Sequence, residues 1–162
     1  MGHGRLERID AFLAAAGLLE PRPDGVPAAI GWATVELDRA VAELAEASGV
    51  PAERFATGRD DELLGARCRV ARGALAEGHS LVVLEPATEG RLAATLARHG
   101  EGPAVIWLVV ADLSRPIALT RPAGLALSAA RSGPLGIERL LLGGSVHGPH
   151  RLLLGSPGTI RA

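Results

Sequence analysis

Lysine is missing from this chain: all 17 of its basic residues are arginine. With so much alanine and glycine beside it, this absence reads as coding bias, and no function follows from it. A single cysteine, Cys68, excludes an intramolecular disulfide and any multi-cysteine metal cage. Tyrosine is absent, and only two Trp and two Phe are present, so Leu, Val and Ala must pack the core. No excess of one charge exists either. A net charge of −1 gives no electrostatic case for binding nucleic acid or an anionic membrane. No apolar run reaches the roughly 18 residues of a membrane span, and the start lacks a basic-then-apolar leader. The expected location is the cytoplasm.

What is present is enough for a sizeable core. With 162 residues, 48% of them hydrophobic, the chain suits one compact domain or two small halves sharing a core. The central stretch Leu81–Val110 reads strand, helix, strand. Leu81–Leu84 and Val105–Val110 are almost unbroken apolar runs, while Thr88 is a candidate N-cap and Gly100 a stop for the helix between them. Ahead of it, Leu6, Ile9, Phe12, Leu13 and Ala16 repeat at helical spacing. A breaker-rich link then runs from Glu20 to Pro27. Ala28–Leu37 reads as a strand, Asp38 as the cap of a helix to Ser48, and Leu63–Ala71 as a further strand. Three more short strands follow at Leu125–Ala129, Ile137–Gly143 and Arg151–Leu154, with a last turn at Ser145–Pro149. A shift of 76 residues lays Ile30–Ala42 over Ile106–Ala118, with Ile30, Leu37, Arg39 and Ala42 meeting identical residues. LVVLEP (Leu81–Pro86) and LLLGSP (Leu152–Pro157) close the two halves at a slightly different offset.

These features together resemble the vicinal-oxygen-chelate superfamily, which includes glyoxalase I, methylmalonyl-CoA epimerase, extradiol dioxygenases and bleomycin-resistance proteins. The similarity rests on a strand running into V-x-L-D-x-A, then Leu84-Glu-Pro-Ala-Thr-Glu-Gly90, then Arg98-His-Gly-Glu-Gly102, and it is nearest to the epimerase-like branch. It implies an α+β fold: two βαβββ modules in tandem forming a cupped mixed sheet. Residues 1–27 would be an N-terminal helix and Pro-rich link, 28–86 module one, 88–99 a connecting helix and 103–157 module two. The family's four metal-ligand positions fall on Ala29, Val82, Val105 and Leu153, none of which offers a lone pair. The resemblance therefore implies a member without metal or other cofactor, more a binding protein than an enzyme, with a homodimer as the family's usual assembly. Open alternatives are a metal-dependent epimerase, lyase or dioxygenase, should His79 and His150 reach a common point, and an assembly module whose cup is filled.

Strand alternation supplies directions for these residues. Ala29, Gly31, Ala33, Val105, Trp107 and Val109 would face the cup, with Ile30, Trp32, Ile106 and Leu108 packed under helices. Trp107 is then either a platform for a flat or apolar ligand or a plug. Arg67 and Arg69, answered by Arg151, either converge in the cup on an anionic small molecule or mark a watery face. Cys68 lies opposite the two arginines as a small buried hydrophobe. Glu85 and Glu89 read as surface and cap charges, His99 as a helix C-terminal residue, and His147-Gly-Pro-His150 as a turn tip. No catalytic constellation stands out.

Overall fold

The computed structural model describes residues 3–18, 25–114, 126–142 and 149–156. The turn expected at Ser145–Pro149, apart from Pro149 itself, and most of the link before Pro27 lie outside them. An N-terminal helix, α1 (His3–Leu18), precedes β1 (Gly25–Ala33), α2 (Leu37–Ser48), β2 (Ala56–Thr57), β3 (Ala66–Ala71) and β4 (Ser80–Pro86). Next come α3 (Arg91–His99), β5 (Gly102–Val110), β6 (Ala126–Leu127), β7 (Arg131–Gly133), β8 (Gly136–Leu142) and β9 (His150–Gly155). Nine strands form one mixed sheet in the order β2-β3-β4-β1-β5-β9-β8-β6, with β7 also paired to β8. Each half closes by a parallel pair, β1 with β4 and β5 with β9. The halves meet along the antiparallel pair β1–β5.

The register of that seam explains the repeat seen in the sequence. Ile30 lies opposite Ile106, flanked by the pairs Ala29–Trp107 and Gly31–Val105. Shifting by 76 residues carries Ala29 onto Val105, Ile30 onto Ile106 and Gly31 onto Trp107. A local two-fold axis therefore passes through the Ile30–Ile106 pair. The closing strands keep a different offset, because Ile30 is beside Leu81 while Ile106 is beside Arg151. Val82 thus corresponds to Leu152.

The two faces of the sheet hold two separate cores. On one, α2 lays down Leu37, Ala40, Val41, Leu44 and Ala45 against Ile30, Trp32, Val83 and Ile106. α1 docks on the same face through the buried Ile9, with Leu6, Phe12 and Leu13 packed around it. Arg5 and Arg8 sit over the Trp32 ring at 5.5 and 5.2 Å from its centroid. The other face is the cup. Ala29, Ala33, Cys68, Val70, Val82, Val105, Trp107, Leu140 and Leu152 pack together there, and Leu92 and Leu96 of α3 join them.

Two carboxylates, Glu85 of β4 and Glu101 just ahead of β5, hold the start of α2. The sequence places Asp38 as its cap, but the helix begins at Leu37 and Asp38 pairs instead with Arg69. The Leu37 N–H donates to Glu85 Oε2 at 2.7 Å, and the Val35 N–H to Glu101 Oε1 at 2.9 Å. These donors are the orphan N–H groups of a helix entrance, where negative charge is also favoured. Burial alone would raise both carboxyls. The Arg67 guanidinium and Leu37 N–H more than offset it at Glu85, as do the Thr34 hydroxyl, Val35 N–H and Arg39 at Glu101, so both lie below the usual carboxylate range. At the far end Gly49, with φ at 70°, closes the helix in the left-handed conformation. α3 starts after Gly90 rather than at Thr88, whose side chain lies instead against the bare Cα of Gly65.

The docking of α1 can be weighed by one truncation. Ile9→Ala removes a side chain that is 1% exposed and is expected to cost about 2–4 kcal/mol in urea unfolding. A change within about 0.5 kcal/mol would mean that α1 is an undocked appendage.

Candidate functional site

At the base of the cup the residues that match the family's ligand positions come from four adjacent strands. Ala29, Val82 and Val105 are buried on the cup face as alternation requires. Leu153 is not. It packs on the opposite face beside Leu108, and the cup position belongs to Leu152. LLLGSP laid on LVVLEP sets Leu153 against Val82, but strand pairing sets Leu152 there, one residue earlier and within one residue of the expected position. The corrected set remains aliphatic throughout, so it offers a cation no ligand. Among the described residues no group of three or more His, Cys, Asp or Glu is disposed to hold a metal.

Trp107 occupies the middle of this base and is wholly buried. Its room comes from Gly31, its counterpart across the two-fold axis. A Cβ on Gly31 would stand 2.9 Å from Trp107 Cζ3, 2.7 Å from Val105 Cβ and 2.8 Å from a Leu84 methyl. The indole N–H donates to Glu138 Oε2 at 2.7 Å. Glu138 comes from β8, where it shares the inward parity of Leu140, and it is 0% exposed. Its carboxyl lies over Gly133, where any side chain would collide with it.

Facing Glu138 is Asp61, 1% exposed, from the turn ahead of β3. Asp61 Oδ1 accepts the Leu64 N–H at 2.9 Å. The two oxygens left over, Asp61 Oδ2 and Glu138 Oε1, have no other partner. One proton shared between them satisfies both. Burial pushes Glu138 well above the usual range, and its bond to the Asp61 carboxylate pushes it further. Asp61 is also raised by burial, but the Glu138 bond and the N–H of Leu64 work against that rise. Both carboxyls are held above the usual range, so the pair keeps a proton between them. The same junction carries the Glu62 N–H to the Ser132 carbonyl at 3.2 Å and Arg59 Nη1 to Ser132 Oγ at 3.2 Å. The sheet has curled until the turn 58–65 of the first half meets the β7–β8 hairpin of the second.

The arginines expected in the cup are on the other face. Arg67 is ion-paired with Glu85, and Arg69 reaches Asp38 of α2 at 3.3 Å. Arg151 stands beside Ile106 on the helix-bearing face, half-buried, with burial drawing its pKa down. Their alternation against Cys68 holds, but Cys68 is the residue on the cup side. Burial pushes its thiol up to about 12, so it stays protonated. His150 lies on the cup side of β9 at its first residue. Its Nε2 is 2.7 Å from Thr95 Oγ1, which itself donates to the Arg91 carbonyl at 3.0 Å. His79 leads into β4, three strands away from β9 in the sheet. Glu85 and Glu89 form no acid–base couple, since Glu85 caps α2.

The Trp107–Glu138–Asp61 cluster was missed in the sequence. Its one visible trace is a glutamate at an inward position of the apolar strand GIERLLL. Three arginines at the rim, Arg54, Arg59 and Arg72, were also passed over; with Val70 and Pro134 they surround a cavity of about 380 Å³.

Strand order, parallel closures and a two-fold seam define the class: the chain has the fold of the vicinal-oxygen-chelate superfamily. No family model matches the sequence. No curated protein matches it. Solved structures do. A methylmalonyl-CoA epimerase of Streptomyces coelicolor is 25% identical, with a TM-score of 0.63 over 82% of this chain and 97% of its own. The epimerase of Mycobacterium tuberculosis is 20% identical, with a TM-score of 0.64 over 88% and 96%. A hypothetical protein of Bacillus halodurans is 15% identical, with a TM-score of 0.65 over 86% and 99%. Among the described residues no helix is long and apolar enough to cross a membrane.

Two outcomes follow for the base of the cup. Trp107→Ala leaves a large void and an unpaired Glu138, and should cost about 3–5 kcal/mol; Gly31→Ala should cost about 1–3 kcal/mol by overpacking. The buried pair sets a pH trend. Because the folded-state pKa of Glu138 is raised, its contribution is full below the usual glutamate pKa and is lost as pH rises through the folded value. Urea midpoints should therefore fall between pH 5 and pH 10, and Glu138→Gln should flatten that slope. An equally steep slope in the variant would assign the trend to other groups.

Proposed function

We propose that this chain is a metal-independent small-molecule-binding protein built on the vicinal-oxygen-chelate fold. The observation that carries this reading is the base of the cup: Ala29, Val82, Val105 and Leu152 line it and Trp107 fills it. Hard divalent cations require oxygen or nitrogen donors, and none of these side chains has one. The epimerases it resembles have been captured with methylmalonyl-CoA and with 2-nitronate-propionyl-CoA. Identity of about a quarter or less supports a shared cup and no shared substrate. In this reading the base works as a packed wall, and ligand capture falls to the rim. The ligand is anionic or partly apolar, and the working unit is a homodimer, as is usual in the family.

A filled base also suits a second reading, a non-catalytic assembly module. A ligand screen separates the two. Binding to the folded state raises the unfolding free energy by about 2.7 kcal/mol at a ligand concentration one hundred times Kd, which a thermal melt detects easily. The expected result is at least one such shift among small anions and apolar acids, unchanged by chelator. A melt indifferent to every compound favours the assembly module. Stoichiometric zinc, iron or manganese in the purified protein, with a melt lowered by chelator, would sink the metal-independent reading outright.

A further inference from the structure

At the first-module end of the cup rim lies a cavity of about 380 Å³, within the size range of small-molecule sites. Three guanidinium groups surround it, those of Arg54, Arg59 and Arg72, and no carboxylate lines it. Its floor is apolar: Val70 comes from the cup core and Pro134 from the β7–β8 hairpin. Gly58 keeps that floor clear, because a Cβ there would stand 2.9 Å from a Val70 methyl and 3.4 Å from Pro134 Cβ.

Among the described residues no carboxylate forms an ion pair with these three arginines. Arg5, Arg39, Arg67 and Arg69 each form ion pairs. Arg54 and Arg59 instead donate to uncharged oxygens, the Arg72 carbonyl at 2.9 Å and Ser132 Oγ at 3.2 Å. Those bonds hold two of the three heads in place while leaving most of their donors unused, since each guanidinium carries five N–H groups. Glu53 and Asp60, the acids adjacent in sequence, are not among the walls. A concave site with convergent, pre-positioned guanidinium groups over an apolar floor matches a ligand with an anionic head and a short apolar body.

We propose that this rim cavity binds a small organic anion, its phosphate or carboxylate held by Arg54, Arg59 and Arg72 and its apolar part resting on Val70 and Pro134. The proposal rests on the small-molecule-binding reading above and gives it a place and a ligand class. It is tested by calorimetric titration of the full chain at low salt with pyrophosphate and, separately, with citrate. Saturable one-site binding of either is expected, and the stronger arm tells phosphate from carboxylate. Arg54→Gln and Arg72→Gln should each weaken it about tenfold, while Arg98→Gln, on α3 and away from the cavity, should not. Thermal melts of each variant establish that it folds, and Arg72→Lys should retain part of the affinity. Absence of saturable binding, or equal weakening by Arg98→Gln, overturns the site. If neither anion binds but an apolar compound still shifts the melts of wild type and variants alike, this site falls and the small-molecule reading stands. If no compound binds at all, both fall.

Discussion

The structure depends on a backbone that carries no side chain at Gly31. The two halves of the sheet are joined by β1 and β5, and the two-fold relation sets Gly31 and Trp107 as counterparts across that seam. Only one of the two positions can be large. With the larger residue on β5, the ring spreads over the bare Cα on β1 and fills what would otherwise be the deepest part of the cup. Interiors tolerate neither voids nor overlap, so this glycine and this tryptophan form one unit. With the base filled, the four surrounding positions pack around the ring as aliphatic side chains. A near-symmetric scaffold thus acquires one strongly asymmetric pair at its centre.

Charge follows the same economy. Among the described residues the fully buried carboxyls inside the cup belong to one chain, from the indole N–H through Glu138 to Asp61 and the Leu64 N–H. A bare carboxylate pair would be costly at such depth, and a single retained proton turns repulsion into a hydrogen bond. On the opposite face Glu85 and Glu101 lie below the usual carboxylate range, because each meets a guanidinium and the backbone N–H groups at the entrance of α2. Glu101 illustrates this, accepting from Thr34, Val35 and Arg39 together. The two populations therefore respond to pH in opposite senses. The capping carboxylates lose their contribution as pH falls through their lowered values, and the buried pair loses its own as pH rises.

Much of this was legible in the chain itself. Period-two alternation assigned Ile30, Trp32, Ile106 and Leu108 to one face and Ala29, Val82, Val105 and Trp107 to the other, because strand parity is a local property. The repeat at 76 residues overlays the two strands, β1 and β5, that the structure pairs at the seam. What failed was non-local. Arg67 and Arg69 were correctly set opposite Cys68, yet nothing within β3 says which of its faces looks into the cup. Arginine reaches solvent past the edge of a covering helix as readily as from an open face, its stem lying on apolar surface. Leu153 lies one position past the cup residue Leu152, because the two closing phrases are alike while their strand pairings differ by one residue. Asp61 and Glu138 are far apart in sequence and meet only when the sheet curls.

That meeting gives the fold its closure. A curved sheet whose halves pair along a single seam leaves two ends to be joined. Here the ends are joined by the Glu62–Ser132 backbone bond, the Arg59–Ser132 bond and the shared proton of Asp61 and Glu138. The first two are exposed or neutral and contribute little singly. The buried pair differs, because separating it leaves two desolvated oxygens without a partner and exposes Trp107. Closure of the cup and filling of its base are therefore one event, transmitted through the bond from Trp107 to Glu138. The rim cavity sits against this junction and shares with it Gly58, Arg59 and Pro134.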